Sequence, residues 1–186
     1  MKKLLTPFNI IAALLLLLAG GAYFWAARPA PIPEPAQRNE QPRAQAQTVA
    51  LYFSDAQAER LRTERRSVQP EARDAAALAQ AALAALVSGP RNPDLVALVP
   101  KDSQTPQVYL RGTHYYVDLP DAYGKLRYGS SGETMLVCGI VRTLLDLPPA
   151  SSERDVTFLV DGENAETLLG HMDLQDPFRA EDCPVQ

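Results

Sequence analysis

The stretch 129–148, GSSGETMLVCGIVRTLLDLP, decides the fold of the second half of the chain. Its apolar residues recur at the i, i+3, i+4, i+7 spacing of one helix face: Val137, Ile140, Val141 and Leu144. Two consecutive prolines, Pro148 and Pro149, then stop the run. We therefore predict an amphipathic helix over 133–147 that packs one face on a core.

The first five letters, GSSGE, raise the question of an active site. They do not form the G-x-S-x-G nucleophile elbow, because each serine directly abuts a glycine. Ser130-x-x-Glu133 instead matches a capping box, in which the hydroxyl and the carboxylate satisfy free N–H groups of the helix end. Glu133 also lies on the stripe of apolar residues, so its carboxylate either caps its own helix or enters a polar pocket. The pocket hypothesis groups Glu133 with His171 and Asp118.

Further elements follow from the patterns on either side of this helix. Alternating apolar residues predict a strand at 48–53, a hairpin at 107–120 and a strand at 155–165, and residues 61–68 of a polar stretch are expected to add a short edge strand. An alanine-rich helix is predicted at 71–90, where Gly89 and Pro90 end it. The order βαββαβ indicates an α+β fold, a two-layer sandwich with two helices on one face of a mixed, mostly antiparallel sheet.

The N-terminal end of the chain has a different chemistry. Residues 8–27 are apolar apart from Asn9 and would span about 30 Å as a helix, enough to cross a bilayer. Lys2 and Lys3 place residues 1–7 in the cytoplasm and the rest outside. The alternative is a cleaved signal peptide, which would leave a secreted or periplasmic protein. Five prolines make 28–47 an extended linker, so the folded domain is 48–186.

Composition excludes several functions. The 186 residues carry a formal net charge of −4, whereas a nucleic-acid-binding protein would show a basic excess. The sequence contains no CxxC or HxxxH pair of the kind that binds zinc, and its aspartates lack the spacing of a calcium-binding loop. We therefore assign no catalytic residue, no metal ligand and no cofactor.

The two cysteines, Cys138 and Cys183, lie in the part of the chain that we expect to be exported, where disulfides persist. A bridge would tie down the C-terminal tail. The alternative is one buried thiol and one free thiol.

Four arginines surround a single glutamate in RLRTERR: Arg60, Arg62, Arg65 and Arg66. Outside the membrane, such a cluster could bind lipid head groups, anionic envelope polymers or an acidic protein partner. The alternative is a solvated strand edge whose charges prevent aggregation.

Several short blocks occur in an order that resembles the GerMN domain, a family named from a sporulation and spore-germination protein. They are VALYF, ALAALVSGP, LVALVP, HYYVDL, GSSGE, IVRTLLDLP, FLVDG and GHMDL, and they extend over residues 48–177. The resemblance implies a small α/β domain, similar to the ring-building modules of secretion systems, that is exported and held at the membrane. It also implies a scaffold, with no established catalytic residues.

Together these observations predict a single-pass protein of the bacterial cytoplasmic membrane whose C-terminal domain lies outside the cytoplasm. It would act without catalysis, as a scaffold or accessory protein in cell-envelope or sporulation and germination assemblies. The expected partners are an envelope protein or the cell wall, and the state of association, including a homo-oligomer, stays open. The alternative function is an envelope hydrolase or a ligand-binding sensor centred on Glu133, His171 and Asp118.

Overall fold

The computed structural model describes residues 7–26 and 44–185, which fall into two units. The first contains helix α1, Pro7–Ala26, and the second contains everything from Ala44 onward. Most of the predicted cytoplasmic end and of the predicted linker lies outside the described residues. Helix α1 coincides with the predicted membrane span, 8–27. However, the described residues include no helix found to be long and apolar enough to cross a membrane, so the span stays a prediction.

The second unit contains all the elements predicted from the sequence. The alanine-rich helix and the last strand are shorter than predicted, whereas the first strand is longer. In chain order the elements are β1 Gln47–Ser54, β2 Leu61–Val68, α2 Ala75–Val87, β3 Gln107–Arg111, β4 His114–Leu119, α3 Ser130–Leu145 and β5 Asp155–Val160. Helix α2 begins where the Asp74 carboxylate accepts the Ala77 N–H at 2.8 Å, which satisfies a donor that the helix leaves free. The α+β class is confirmed.

The strands form two small sheets, which corrects the prediction of one sheet with two helices on one face. Strands β1 and β2 pair in an antiparallel hairpin, from Gln47 opposite Val68 to Ser54 opposite Leu61. The other sheet has the order β3-β4-β5, with β3 and β4 antiparallel and β4 and β5 parallel. The parallel pair is expected, because the chain crosses from β4 to β5 through α3.

The sheets are separate because α3 occupies the edge of β1 that a third strand would need. The Tyr52 N–H donates to Thr143 Oγ1 on α3 at 3.2 Å. One turn earlier in α3, a Cβ built on Gly139 would lie 3.0 Å from the Tyr52 carbonyl oxygen. A glycine is therefore needed for helix and strand to approach this closely.

The core lies between the two sheets and the two helices, because α2 and α3 contact each other and strands of both sheets. Its largest apolar side chains are almost completely buried: Leu51, Phe53, Leu83, Tyr115, Leu119, Leu136, Leu144, Leu147, Phe158 and Leu174. The same core holds the four apolar residues of the helix stripe that the sequence predicted, Val137, Ile140, Val141 and Leu144.

Candidate functional site

Helix α3 begins without the predicted capping box. Gly129 occupies the N-cap position and Ser130 is the first helical residue, so the serine hydroxyl is not placed to cap. The Glu133 carboxylate does not return to its own helix end either. Its position on the stripe of Val137 and Ile140 turns it inward, and its exposed fraction is 0%.

Glu133 instead binds a loop that follows β5. Oε1 accepts the Leu169 N–H at 2.9 Å, and Oε2 accepts the His171 N–H at 3.0 Å. The Nδ1 atom of His171 lies 2.9 Å from Oε2. These contacts satisfy the carboxylate that burial removes from water. The structure therefore brings together Glu133 and His171, two of the three residues of the predicted pocket.

The histidine side chain is oriented by this carboxylate. It is 41% exposed, and among the described residues its Nε2 atom has no hydrogen-bond partner. A fixed imidazole with one free nitrogen is chemically able to accept a proton, but no hydroxyl or thiol of the described residues is bonded to it to serve as a nucleophile. The Glu133–His171 contact connects α3 to the loop that follows β5.

Asp118, the third predicted residue, is used elsewhere. Its Oδ1 atom accepts the Gly162 N–H at 2.8 Å, in the turn that follows β5. Gly162 has a φ of +79°, a conformation that a side chain rarely adopts, and the aspartate holds this turn. Within the described residues, Asp118 forms no hydrogen bond with Glu133 or His171.

The predicted disulfide between Cys138 and Cys183 is confirmed, with an S–S distance of 2.07 Å across 45 residues of sequence. Both cysteines are buried. Between His171 and Cys183, Phe178 exchanges two main-chain hydrogen bonds with Val156 on the outer edge of β5, at 2.9 and 2.8 Å. The C-terminal segment 169–183 is thus fastened to α3 at both ends and to β5 in the middle.

The arginine cluster divides into exposed and buried members. Arg60, Arg62 and Arg65 are exposed, whereas the Arg66 side chain is only 5% exposed, so its assignment to a binding surface is wrong. Arg66 donates to Ala85 O at 2.8 Å, to Ser88 Oγ at 3.0 Å and to Gly89 O at 3.0 Å. It therefore satisfies carbonyl groups that the C-terminal end of α2 leaves free.

Glu64 completes this arrangement. It pairs with Arg66 through Oε1, while Oε2 accepts the N–H groups of Arg91 and Asn92, both at 2.9 Å. Burial alone would raise the pKa of Glu64, but the hydrogen bonds from Arg66 and the two main-chain donors outweigh it, so the pKa is lowered. Sequence reasoning missed this pair. The available signal was the alternation of β2, which puts Glu64 and Arg66 on the same face as Leu51 and Val49.

The described residues contain no group of three or more histidine, cysteine, aspartate or glutamate side chains arranged to hold a metal ion. The polar pairs described above, Glu133 with His171 and Glu64 with Arg66, connect one element of the fold to another. The class defined so far is a small α+β module with a C-terminal segment that a disulfide fastens to α3.

Comparison with known proteins gives the family. A family model described as "Germane: Sporulation and spore germination" matches residues 50–166, and the chain belongs to this family. No curated protein matches the sequence.

Three solved structures share the fold. The first GerMN domain of the sporulation protein GerM from Bacillus subtilis has a TM-score of 0.58 at 19% identity, covering 73% of this chain and 99% of that one. The tandem GerMN domains of the same protein have a TM-score of 0.57 at 17% identity, with 74% and 48% covered, so this chain spans about half of that pair. A Clostridium perfringens protein described as a "Putative Lipoprotein" has a TM-score of 0.50 at 23% identity, with 74% and 89% covered.

Proposed function

We propose that this chain is a non-enzymatic module of the bacterial cell envelope, held at the membrane with its folded unit outside the cytoplasm. It acts as a scaffold or accessory protein in envelope, sporulation or germination assemblies, through contacts with an envelope protein or the cell wall. The observation that carries the proposal is the use of Glu133. Its carboxylate is fully buried and bound to Leu169 and His171, so it fastens the fold and is closed to a substrate.

The proposed location rests on the disulfide and on the N-terminal sequence. A Cys138–Cys183 bridge persists in an oxidising compartment, which favours the outside of the cytoplasm. The similar Clostridium perfringens protein is described as a "Putative Lipoprotein", and here the apolar residues 8–27 would provide the membrane attachment instead. Trp25 is the only tryptophan of the chain. An exported protein with tryptophan emission in the membrane fraction supports the anchor, whereas a soluble form without this emission supports cleavage before Trp25.

The absence of catalysis is tested with the purified full-length chain and isolated peptidoglycan. We expect no release of soluble fragments. A hydrolase centred on Glu133, His171 and Asp118 would release fragments, and its activity would disappear in His171→Ala. That variant keeps the two main-chain donors of the Glu133 carboxylate, so it separates loss of a proton acceptor from loss of the fold.

The scaffold role is tested in intact cells by placing a photo-crosslinking amino acid at Tyr109, which is 54% exposed on β3. A second position is Thr63, which is exposed on β2. We expect a reproducible adduct with one envelope protein or with cell-wall material at one of these positions and none at Leu83, a buried control. Adducts absent from every exposed position, together with hydrolysis of peptidoglycan, would contradict the proposal.

A further inference from the structure

Within residues 44–185, no strand pairs with the outer edge of β2. In an antiparallel pair, main-chain groups point alternately toward the partner strand and away from it. The main-chain groups of Tyr52 and Ser54 in β1 point away from β2, since the Tyr52 N–H donates to Thr143 Oγ1 and the main chain of Ser54 exchanges two hydrogen bonds with that of Val96. The residues opposite them, Thr63 and Leu61, therefore direct their N–H and C=O groups outward from β2.

The same alternation applies to Arg65 and Ser67. Among the described residues, the main-chain N–H and C=O groups of Thr63, Arg65 and Ser67 have no hydrogen-bond partner, and their side chains are exposed. A row of outward donors and acceptors is the structure to which an extended chain adds as a new strand. The opposite edge of the hairpin differs, because α3 and Val96 occupy it.

The charge along this edge is positive. Arg62 and Arg65 are both exposed and lie on opposite faces of the strand, with Arg60 in the adjoining turn. The acid within β2, Glu64, binds Arg66. Outside the strand, Asp55 accepts the N–H groups of Glu59 and Arg60 at 2.9 and 3.3 Å, and Glu59 and Asp94 are exposed. A partner that presents carboxylates beside Arg62 and Arg65 would match this charge.

We propose that the outer edge of β2 binds an extended acidic segment of a partner protein by strand addition. This segment carries two carboxylates three residues apart, because positions three apart on a strand face opposite sides and would meet Arg65 on one face and Arg62 on the other. A second copy of the chain is disfavoured, since two such edges would bring like-charged arginines together. The inference rests on the proposed scaffold function and names its partner class and docking site.

The test uses the full-length chain in mild detergent and two synthetic peptides, acetyl-TVETVETV-amide and acetyl-TVQTVQTV-amide. Binding is followed by amide resonances in nitrogen–proton spectra. We expect shifts centred on Thr63, Arg65 and Ser67, and about tenfold tighter binding of the glutamate peptide than of the glutamine peptide. Equal affinity for both peptides, or shifts confined to another surface, would overturn the assignment.

Two pairs of variants separate charge from strand addition. Arg62→Glu/Arg65→Glu should weaken binding of the glutamate peptide about tenfold or more, whereas Arg73→Glu/Arg127→Glu, with the same change in net charge at exposed positions, should leave it unchanged. Thr63→Pro removes an outward N–H without removing a bond to β1 and should abolish binding, whereas Thr63→Val should preserve it. Folding of each variant is checked by the dispersion of its amide spectrum.

Other occupants give other results. Vesicles containing phosphatidylglycerol test a lipid partner. If they bind through the arginines and still bind the Thr63→Pro variant, while the glutamate peptide does not bind, then this edge binds an anionic membrane surface and does not add a strand. A doubled molecular mass that is lost in Thr63→Pro, with no peptide binding, would indicate a second copy. Failure of peptide binding while crosslinks to an envelope partner persist at Tyr109 rejects the β2 site and leaves the proposed function intact. Peptidoglycan hydrolysis rejects the proposed function itself.

Discussion

The Nδ1 atom of His171 lies 2.9 Å from Oε2 of Glu133, a carboxylate with no exposed surface. Taking a carboxylate out of water is costly unless its oxygens receive hydrogen bonds, and here a loop 36 to 38 residues away in sequence provides them. The first turn of α3 and the C-terminal segment therefore stabilise each other.

Replacing Glu133 by glutamine should destabilise the folded unit by about 2–4 kcal/mol, because the amide group offers a donor where the main chain also offers donors. The free energy of unfolding from urea titration measures this. Glu166→Gln, at an exposed residue three positions before Leu169, is the matched control and should change it by less than about 0.5 kcal/mol. A similar small effect for Glu133→Gln would show that the carboxylate does not fasten the segment.

Removing the disulfide should also destabilise the fold. Closure of a 45-residue separation is worth ~4 kcal/mol by loop entropy, so Cys138→Ala/Cys183→Ala should lose about 2–4 kcal/mol. Adding a reductant to the natural chain under denaturing conditions should produce a comparable loss and have no effect on the double variant. Two free thiols in the unreduced exported protein, measured by mass spectrometry, would contradict the bridge.

Arg66 and Arg65 are adjacent, yet their replacement by lysine should differ greatly. Lysine lacks the planar fork that reaches Glu64 and the carbonyl oxygens of Ala85 and Gly89 together, so Arg66→Lys should cost about 2–3 kcal/mol. Arg65→Lys at an exposed position should stay within about 0.5 kcal/mol. If the two substitutions change the unfolding free energy equally, Arg66 does not make the buried hydrogen bonds described above.

The lowered pKa of Glu64 predicts an acid-dependent contribution to stability. Because the folded pKa lies below the ordinary value of 4.5, the contribution is fully present above that value and is lost as pH falls through the folded pKa. The difference in unfolding free energy between the natural chain and Glu64→Gln should therefore be largest near neutral pH and should shrink at acidic pH. A difference that stays constant or grows as pH falls would contradict the assigned pairing.

Gly139→Ala tests the close approach of α3 to β1. A Cβ at this position would lie 2.3 Å from Leu98 Cδ1 and 3.0 Å from Tyr52 O, so we expect a loss of about 1–3 kcal/mol despite the better helix propensity of alanine. The control is Gly124→Ala, where the nearest atom, Leu168 O, would lie at an ordinary 3.8 Å. A gain in unfolding free energy for Gly139→Ala would show that the contact can relax.

Much of the fold was predictable because its signals are local. The apolar stripe Val137, Ile140, Val141 and Leu144 defines α3, and the alternation of Val49, Leu51 and Phe53 defines β1. The division into two sheets was not predictable, because it depends on Thr143 and Gly139 meeting the edge of Tyr52 about 90 residues earlier in the chain. The spacing of residues within a single element does not predict this contact between α3 and β1.

The candidate site shows the same limit. The sequence by itself determined that Glu133 lies on the buried stripe of its helix and that two cysteines were available for a bridge. Only the tertiary structure decided that the Glu133 carboxylate binds Leu169 and His171, while Gly129 occupies the N-cap position of the helix. The physical reason is that helical periodicity fixes the direction of a side chain within a few residues, whereas the partner that satisfies a buried charge is chosen by packing across the whole chain.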